Sequence, residues 1–303
     1  MATGPKHGIP AFKDVLVSIA NSCDNNPRAI IKNQKLIFEA LNKLDTTNSI
    51  DINIDELRVS TEKKIIENCD MQNGGLRGAP KFPQLFIYDF LLSLYVNDND
   101  SKKFNIITKT LDKICSGGIF DHVGGGISRY SVDENWLVPH FEKMLYDNAQ
   151  LLSVFSNAYM INKNPRYKEE LYNIYDFLEL KMTSKNDLIF SSISADTNYP
   201  NGNKSEGDFY VWTKEELKSI LKDEYAWVSD YYNINENGFW EDEKYVFYQT
   251  VSDQQFAEDL GLKLENFKNK LKAVNKKLFD EREKRIQPII DTKIIFSWNA
   301  LTV

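Results

Sequence analysis

The strongest constraint on the fold is the spacing of apolar side chains between Phe12 and Met182. Phe12, Val15, Leu16 and Ile19 recur three and four residues apart, as do Ile30, Ile37, Phe38, Leu41 and Leu44, and residues so spaced share one face of a helix. Asn25-Asn26 and Pro27 separate these two helices. Asp55 is expected to cap a third, running through Ile65 and Ile66 and ending at Asn73-Gly74-Gly75. Pro83 suits the first turn of the next helix, with Leu85, Phe86, Phe90, Leu91 and Leu94 on its buried side. A helix over 103–115 follows the polar run Asn97-Asp98-Asn99-Asp100, which makes an αα-hairpin. A second hairpin is expected from a helix beginning at His140 and another over 166–182. In the first of these, Phe141, Met144, Leu145, Ala149, Leu151 and Leu152 fall on one side, with Lys143, Tyr146, Asp147 and Gln150 opposite.

From Asp187 onward the pattern changes. Leu188-Ile189-Phe190, Asp208 to Trp212 and Tyr245 to Thr250 read as short strands bounded by turn residues. Thr213 with Glu216 forms a capping box, and 262–285 reads as a lysine-rich solvated helix. The expected divisions are 1–73, helical; 74–186, the two hairpins; 187–296, an inserted mixed α/β region; and 297–303, where a further apolar helix begins.

Composition excludes several functions. Lys plus Arg number 37 against 44 Asp plus Glu, a net charge of −7, which disfavours nucleic acid and acidic membrane surfaces as partners. Cys23, Cys69 and Cys115 are far apart and form no C-x-x-C pair, so thiol–disulfide exchange is not expected and the thiols fit a reducing compartment. With no apolar leader in Met1 to Pro10 and no membrane span, the expected location is cytoplasmic. His140 and Glu142 imitate the H-x-E of zinc deaminases, yet no P-C-x-x-C follows. No metal and no cofactor is expected.

Candidate chemistry concentrates where helical periodicity breaks, between Ser116 and Pro139. His122 lies beside Asp121 and His140 near Glu142, and imidazole is the side chain that exchanges protons near neutral pH. Gly124-Gly125-Gly126 reads as a tight loop that brings Arg129 and Tyr130 into a cleft, rather than as a phosphate cradle. If His140 starts a helix, Asp147 lies about 10.5 Å along the same edge, with Lys143 placed to pair with it. Asp196 and Glu206 either serve as the paired carboxylates of glycoside hydrolysis, if the fold sets them at the required separation, or are a loop-capping Asp and a solvated Glu. Trp136, Tyr210, Trp212 and Trp298 either stack on sugar rings or fill the core.

Four strings carry a resemblance: Gly78 to Pro83 (GAPKFP), Gly118 to Gly126 (GIFDHVGGG), Arg129 to Asp133 continuing through Trp136 to Asp147 (RYSVD, WLVPHFEKMLYD), and Glu206 to Thr213 (EGDFYVWT). With Ser297-Trp298-Asn299-Ala300-Leu301, they resemble the thioredoxin-domain-containing family of spermatogenesis-associated protein 20 and the bacterial YyaL proteins. The resemblance implies a thioredoxin-like domain followed by a six-hairpin (α/α) toroid like those of N-acylglucosamine 2-epimerases and glycosidases. On this reading the chain is a fragment. It lacks the thioredoxin core, entering at that domain's last helix with His7-Gly8-Ile9-Pro10, and it lacks the later toroid hairpins. The fold class implied is mainly α, a partial toroid with a small strand-containing insertion, and residues 1–73 become the tail of the missing domain and a linker. The function implied is carbohydrate-active or sugar-binding, epimerase-like or glycosidase-like. His140, His122 and Asp147 would be catalytic; Arg129, Tyr130, Trp136, Glu142, Lys143, Asp196, Glu206, Tyr210, Trp212 and Trp298 would contact a small sugar. The implied partner is a thioredoxin-like domain or a second chain completing the toroid. The competing reading is a non-catalytic scaffold or redox-partner protein.

Overall fold

The structure, a computed structural model, describes residues 10–45 and 53–302. His7, Gly8 and Ile9 lie outside the described residues. Two compact units divide between Val59 and Ser60. In the first, α1 (Phe12–Asn25) and α2 (Pro27–Asp45) are the two helices expected, and Phe12, Leu16, Ile19, Ile37 and Phe38 are exposed. Helix α3 (Ile54–Asn68) begins in this unit and continues into the next. Its cap is Asn53 rather than Asp55: the Asn53 Oδ1 accepts from the backbone N–H of Asp55 and Glu56 at 3.1 and 3.3 Å, and a cap must precede the amides it satisfies.

The second unit is built on two hairpins. Helices α4 (Leu85–Asp98) and α5 (Ser101–Ser116) form the first, with the Asp100 side chain capping α5. Helices α6 (Leu145–Asn162) and α7 (Pro165–Phe177) form the second, with Asn164 as cap and Pro165 in the first turn; one π-helical turn, Leu178–Met182, continues α7. Helix α6 packs between α4 and α7. Their shared core contains Tyr88, Leu91, Ile107, Leu111, Ile114, Leu145, Ala149, Phe155 and Ile174. Gln84, in a left-handed conformation, keeps Pro83 outside α4, and Phe86 points to solvent while Ile87 and Tyr88 are buried.

The largest correction concerns His140, which does not start a helix. Strands β1 (Tyr130–Ser131) and β2 (Pro139–His140) pair antiparallel with Tyr130 opposite His140, and β3 (Lys143–Met144) precedes α6. Extended backbone through residue 144 moves Phe141 off the α6 face and into a separate cluster with Ala195, Val211 and Val246.

The insertion contributes β4 (Ser192–Ile193), β5 (Asp196–Asn198), β6 (Lys204–Glu206), β7 (Trp212–Thr213), β8 (Lys244–Tyr245) and β9 (Ile290–Asp291). Strand β4 lies between β3 and β9, β5 pairs with β6, and β7 pairs with β8. These are shorter than the sequence implies: Ile189 makes one bridge to Thr183, and of 208–212 only Trp212 is in a strand. Helices α8 (Lys214–Leu221), α9 (Tyr225–Tyr231), α10 (Asp253–Asp259) and α11 (Leu264–Arg282) pack on one another through Trp212, Leu217, Val228, Tyr231, Phe267, Val274 and Leu278. The capping box of Thr213 and Glu216 is present as expected. Helix α11 is not wholly solvated, since Phe267, Val274, Leu278 and Arg282 are buried. Helix α12 (Phe296–Asn299) and the 3-10 turn after it, Ala300–Thr302, pack against α6. A mainly helical fold with a small strand-bearing insertion is the expected class. No described helix is long and apolar enough to cross a membrane.

Candidate functional site

The short β1–β2 ladder sets up a row of ionisable side chains. Pairing Tyr130 with His140 stacks their rings at 4.9 Å between centroids, and Phe82 packs against Tyr130 at 4.8 Å. His140 Nδ1 lies 2.6 Å from Glu206 Oε1 on β6, and its Nε2 lies 4.0 Å from Glu142 Oε2. That same Glu142 oxygen accepts from Arg129 Nη1 at 2.9 Å, and the Arg129 backbone N–H donates to the Glu142 carbonyl at 2.7 Å. Asp147, in the first turn of α6, completes the row. Burial pushes its carboxyl up to about 7, with the Arg129 charge opposing and the Glu142 charge adding, and its Oδ2 has no hydrogen-bond partner. The order is therefore Glu206, His140, Glu142, Arg129, Asp147, drawn from β6, β2, the β1 neighbourhood and α6.

Three further side chains border the row. Asp196 is the cross-strand neighbour of Glu206. Tyr146 contacts Arg129 and meets the Trp298 ring edge-on at 4.9 Å. Of these only Tyr146, and with it Phe82 beside Tyr130, is not a candidate from sequence. Helical phase alone puts Tyr146 on the polar side of α6, and a tyrosine next to Asp147 is the available signal.

The remaining candidates sit elsewhere. Lys143 does not pair with Asp147: it is buried, with its Nζ 2.7 Å from Asp121 Oδ2 and 2.6 Å from the Gly125 carbonyl. Arg282 of α11 reaches Asp121 Oδ1 at 2.8 Å, so one buried carboxylate holds two cations. Burial alone would raise the Asp121 carboxyl, but the charges of Arg282 and Lys143 bring it far below the usual range, while burial lowers Lys143 to about 8 against the pull of Asp121. The three glycines serve this packing. A Cβ on Gly125 would stand 2.2 Å from the Asn173 carbonyl oxygen of α7, and Gly125 and Gly126 both have a φ of +76°, which favours glycine.

His122 donates its Nε2–H to the Gly117 carbonyl at 3.0 Å, beside the rings of Phe120 and Tyr232, and burial lowers it to about 4. A neutral ring in that setting fills space and ties a loop. Trp136 is fully buried and gives its Nε1–H to the Asn73 carbonyl at 3.0 Å, so it offers no face to a sugar. Trp212 is likewise buried, with the Arg285 guanidinium 3.9 Å above its ring. Tyr210 stacks on Phe141 beside Lys143. Among the described residues, no cluster of three or more His, Cys, Asp or Glu is placed to hold a metal ion.

Cys23 is exposed, whereas Cys69 and Cys115 are buried and their thiols are raised by burial. With a disulfide-exchange reagent at pH 7.5, one thiol of the native chain is expected to react quickly and the other two only on unfolding. Two or three fast equivalents in the folded state would contradict this.

The fold and the sequence together place the chain among mainly helical proteins that have curated relatives in animals. No protein-family model matches it. The chain is homologous to human spermatogenesis-associated protein 20, 28% identical over 329 aligned residues that take in 99% of this chain and 42% of that protein, and the mouse protein gives the same figures. An uncharacterised protein of Caenorhabditis elegans is 31% identical over 258 residues, 77% of this chain and 35% of the relative. The chain thus spans well under half the length of the curated relatives it matches. Among solved structures, a sugar epimerase from a ruminal bacterium shows 13% identity and a TM-score of 0.40 over 79% of this chain and 76% of its own. A family 76 glycoside hydrolase (mannosidase) from Bacteroides thetaiotaomicron shows 12% and 0.35 over 46% and 38%.

Proposed function

We propose that the chain carries a carbohydrate-binding site equipped for proton transfer, with Asp147 and His140 as the two proton-handling groups. The observation that carries this reading is the buried Asp147 carboxyl, its Oδ2 without a hydrogen-bond partner, at one end of a row whose other end is an imidazole oriented by Glu206. A carboxyl at about 7 is close to half protonated at neutral pH, where it both gives and takes a proton without a large driving-force penalty. Glu206 fixes the His140 ring and leaves Nε2 turned toward Glu142, and the Glu142–Arg129 pair spaces the two groups apart. Tyr130, Tyr146 and Trp298 supply aromatic surface of the kind sugar C–H faces pack on. An epimerase or isomerase step fits such an arrangement: one group removes a proton from carbon next to a carbonyl while the other returns it.

Incubating the chain in deuterium oxide with a panel of reducing hexoses, and following the C2 proton by NMR, tests this directly. Exchange is expected with at least one sugar, and His140→Ala and Asp147→Asn are each expected to slow it by about 10²-fold or more. Absence of exchange across the panel, or full exchange in both variants, would remove the proton-transfer assignment.

A further inference from the structure

We propose that the ligand of this site is a neutral, unphosphorylated sugar and that the site selects against sugar acids and sugar phosphates. This rests on the sugar-binding reading above and goes on to name the charge class. The permanent cation of the row already faces a carboxylate, Arg129 meeting Glu142 at 2.9 Å, and the His140 ring is occupied by Glu206 at 2.6 Å. The buried lysines that follow and precede these elements are turned away, Lys143 to Asp121 and Lys81 to Asp70. An incoming phosphate or carboxylate must either pull a cation from its partner or stand beside Glu142, Glu206 and Asp196 without one. Either course sets like charges close together in partly desolvated surroundings, where the repulsion is several times its value in water. Hydroxyl groups bear none of that cost.

The unpartnered atoms point the same way. Arg129 Nε and Asp147 Oδ2 are buried polar atoms with no hydrogen-bond partner, and the charges of these two residues act on one another. The guanidinium nitrogen can only donate, and the Asp147 carboxyl, close to half protonated at neutral pH, both donates and accepts. A hydroxyl, which does both, suits the guanidinium and either form of the carboxyl, whereas an ionised phosphate oxygen can only accept and finds no partner in the ionised carboxylate. Lys204 is the exposed cation to consider against this, since it shares a face of β6 with Glu206 two residues away. It stands next to the turn that joins β5 to β6, whereas Glu206 lies at the opposite end of the strand.

Saturation-transfer NMR titrations of D-glucose, D-mannose and N-acetyl-D-glucosamine, each beside its 6-phosphate, and of D-glucuronate, provide the test. At least one neutral sugar is expected to bind, and its anionic counterpart to bind at least ~10-fold more weakly at low salt, with the gap narrowing as salt is added. Glu142→Gln and Glu206→Gln should each narrow it too. A 6-phosphate or uronate that binds as well as the neutral sugar overturns the charge selection and leaves the sugar reading standing, as does a gap that neither salt nor either variant changes. Binding of no sugar, neutral or anionic, overturns the sugar reading itself.

Discussion

An Asp147→Asn chain is expected to be more stable than the parent at pH 8 and to lose that advantage near pH 4. In the folded chain the Asp147 carboxyl titrates at about 7, against an ordinary value of 3.8, so between those values the folded state holds a proton that the unfolded state has released. Stability therefore falls as pH rises through that window, and at pH 8 the parent keeps an ionised, poorly partnered carboxylate in a buried position. The difference amounts to up to about 4 kcal/mol, at ~1.4 kcal/mol per unit. Asparagine has the same shape and no proton to lose. Glu170, also pushed up to about 7 by burial, adds a slope of the same sign, but it is common to both chains and drops out of the difference. Urea unfolding at a series of pH values measures the effect, and parallel profiles for the two chains would rule it out. A gain in stability coupled to loss of proton exchange is what a group retained for chemistry rather than for folding predicts.

Asp121→Ala is expected to be the most damaging single substitution near the glycine loop. Asp121 accepts from Lys143, from Arg282 and from the backbone N–H groups of Val123 and Gly124. Its removal strands two buried cations and two amides, and loss of the sole partner of a buried charge costs about 3–5 kcal/mol. Lys143→Met should cost clearly less, because Arg282 still neutralises Asp121 and the methionine stem can rest on the Phe177 and Tyr210 rings that now lie beside the ammonium. Denaturant midpoints of the two variants decide it. A loss in Lys143→Met equal to or larger than that in Asp121→Ala would mean that the lysine, not the carboxylate, organises the cluster.

The hairpins were legible because helix formation is written locally: apolar spacing in α4 and α6, the polar run Asn97 to Asp100 between α4 and α5, and the Thr213 and Glu216 capping box all act within a few residues. Tyr130, His140 and Glu142 were marked out as chemically unusual, and they do come together. What could not be read was the path of residues 139–144. A two-residue strand has no period to detect, and the apolar positions of Phe141, Met144 and Leu145 fit a helix as well as they fit extended chain. The winning interactions were remote, with Ser192 and Ile193 pairing to β3 and Asp121 drawing Lys143 inward. Trp136 and Trp212 stayed open between ligand and core for the same reason, since a tryptophan looks identical in sequence whether its ring faces a ligand or a neighbouring backbone.

The β3–β4–β9 sheet also sets a timetable for the chain as it is made. Lys143 and Met144 are bracketed by Ser192 and Ile193, which in turn wait for Ile290 and Asp291, and Asp121 waits as long for Arg282. At about 5–20 residues per second, translation separates the first of these partners from the last by roughly 7 to 30 s. Throughout that interval the nascent chain can build both hairpins and the Asp121–Lys143 pair, while the strand that anchors the segment leading into α6 still lacks its outer neighbour. Asp147 follows that segment directly, so the sheet leading into the row of ionisable groups gains its last strand from residues synthesised long after those the row contains.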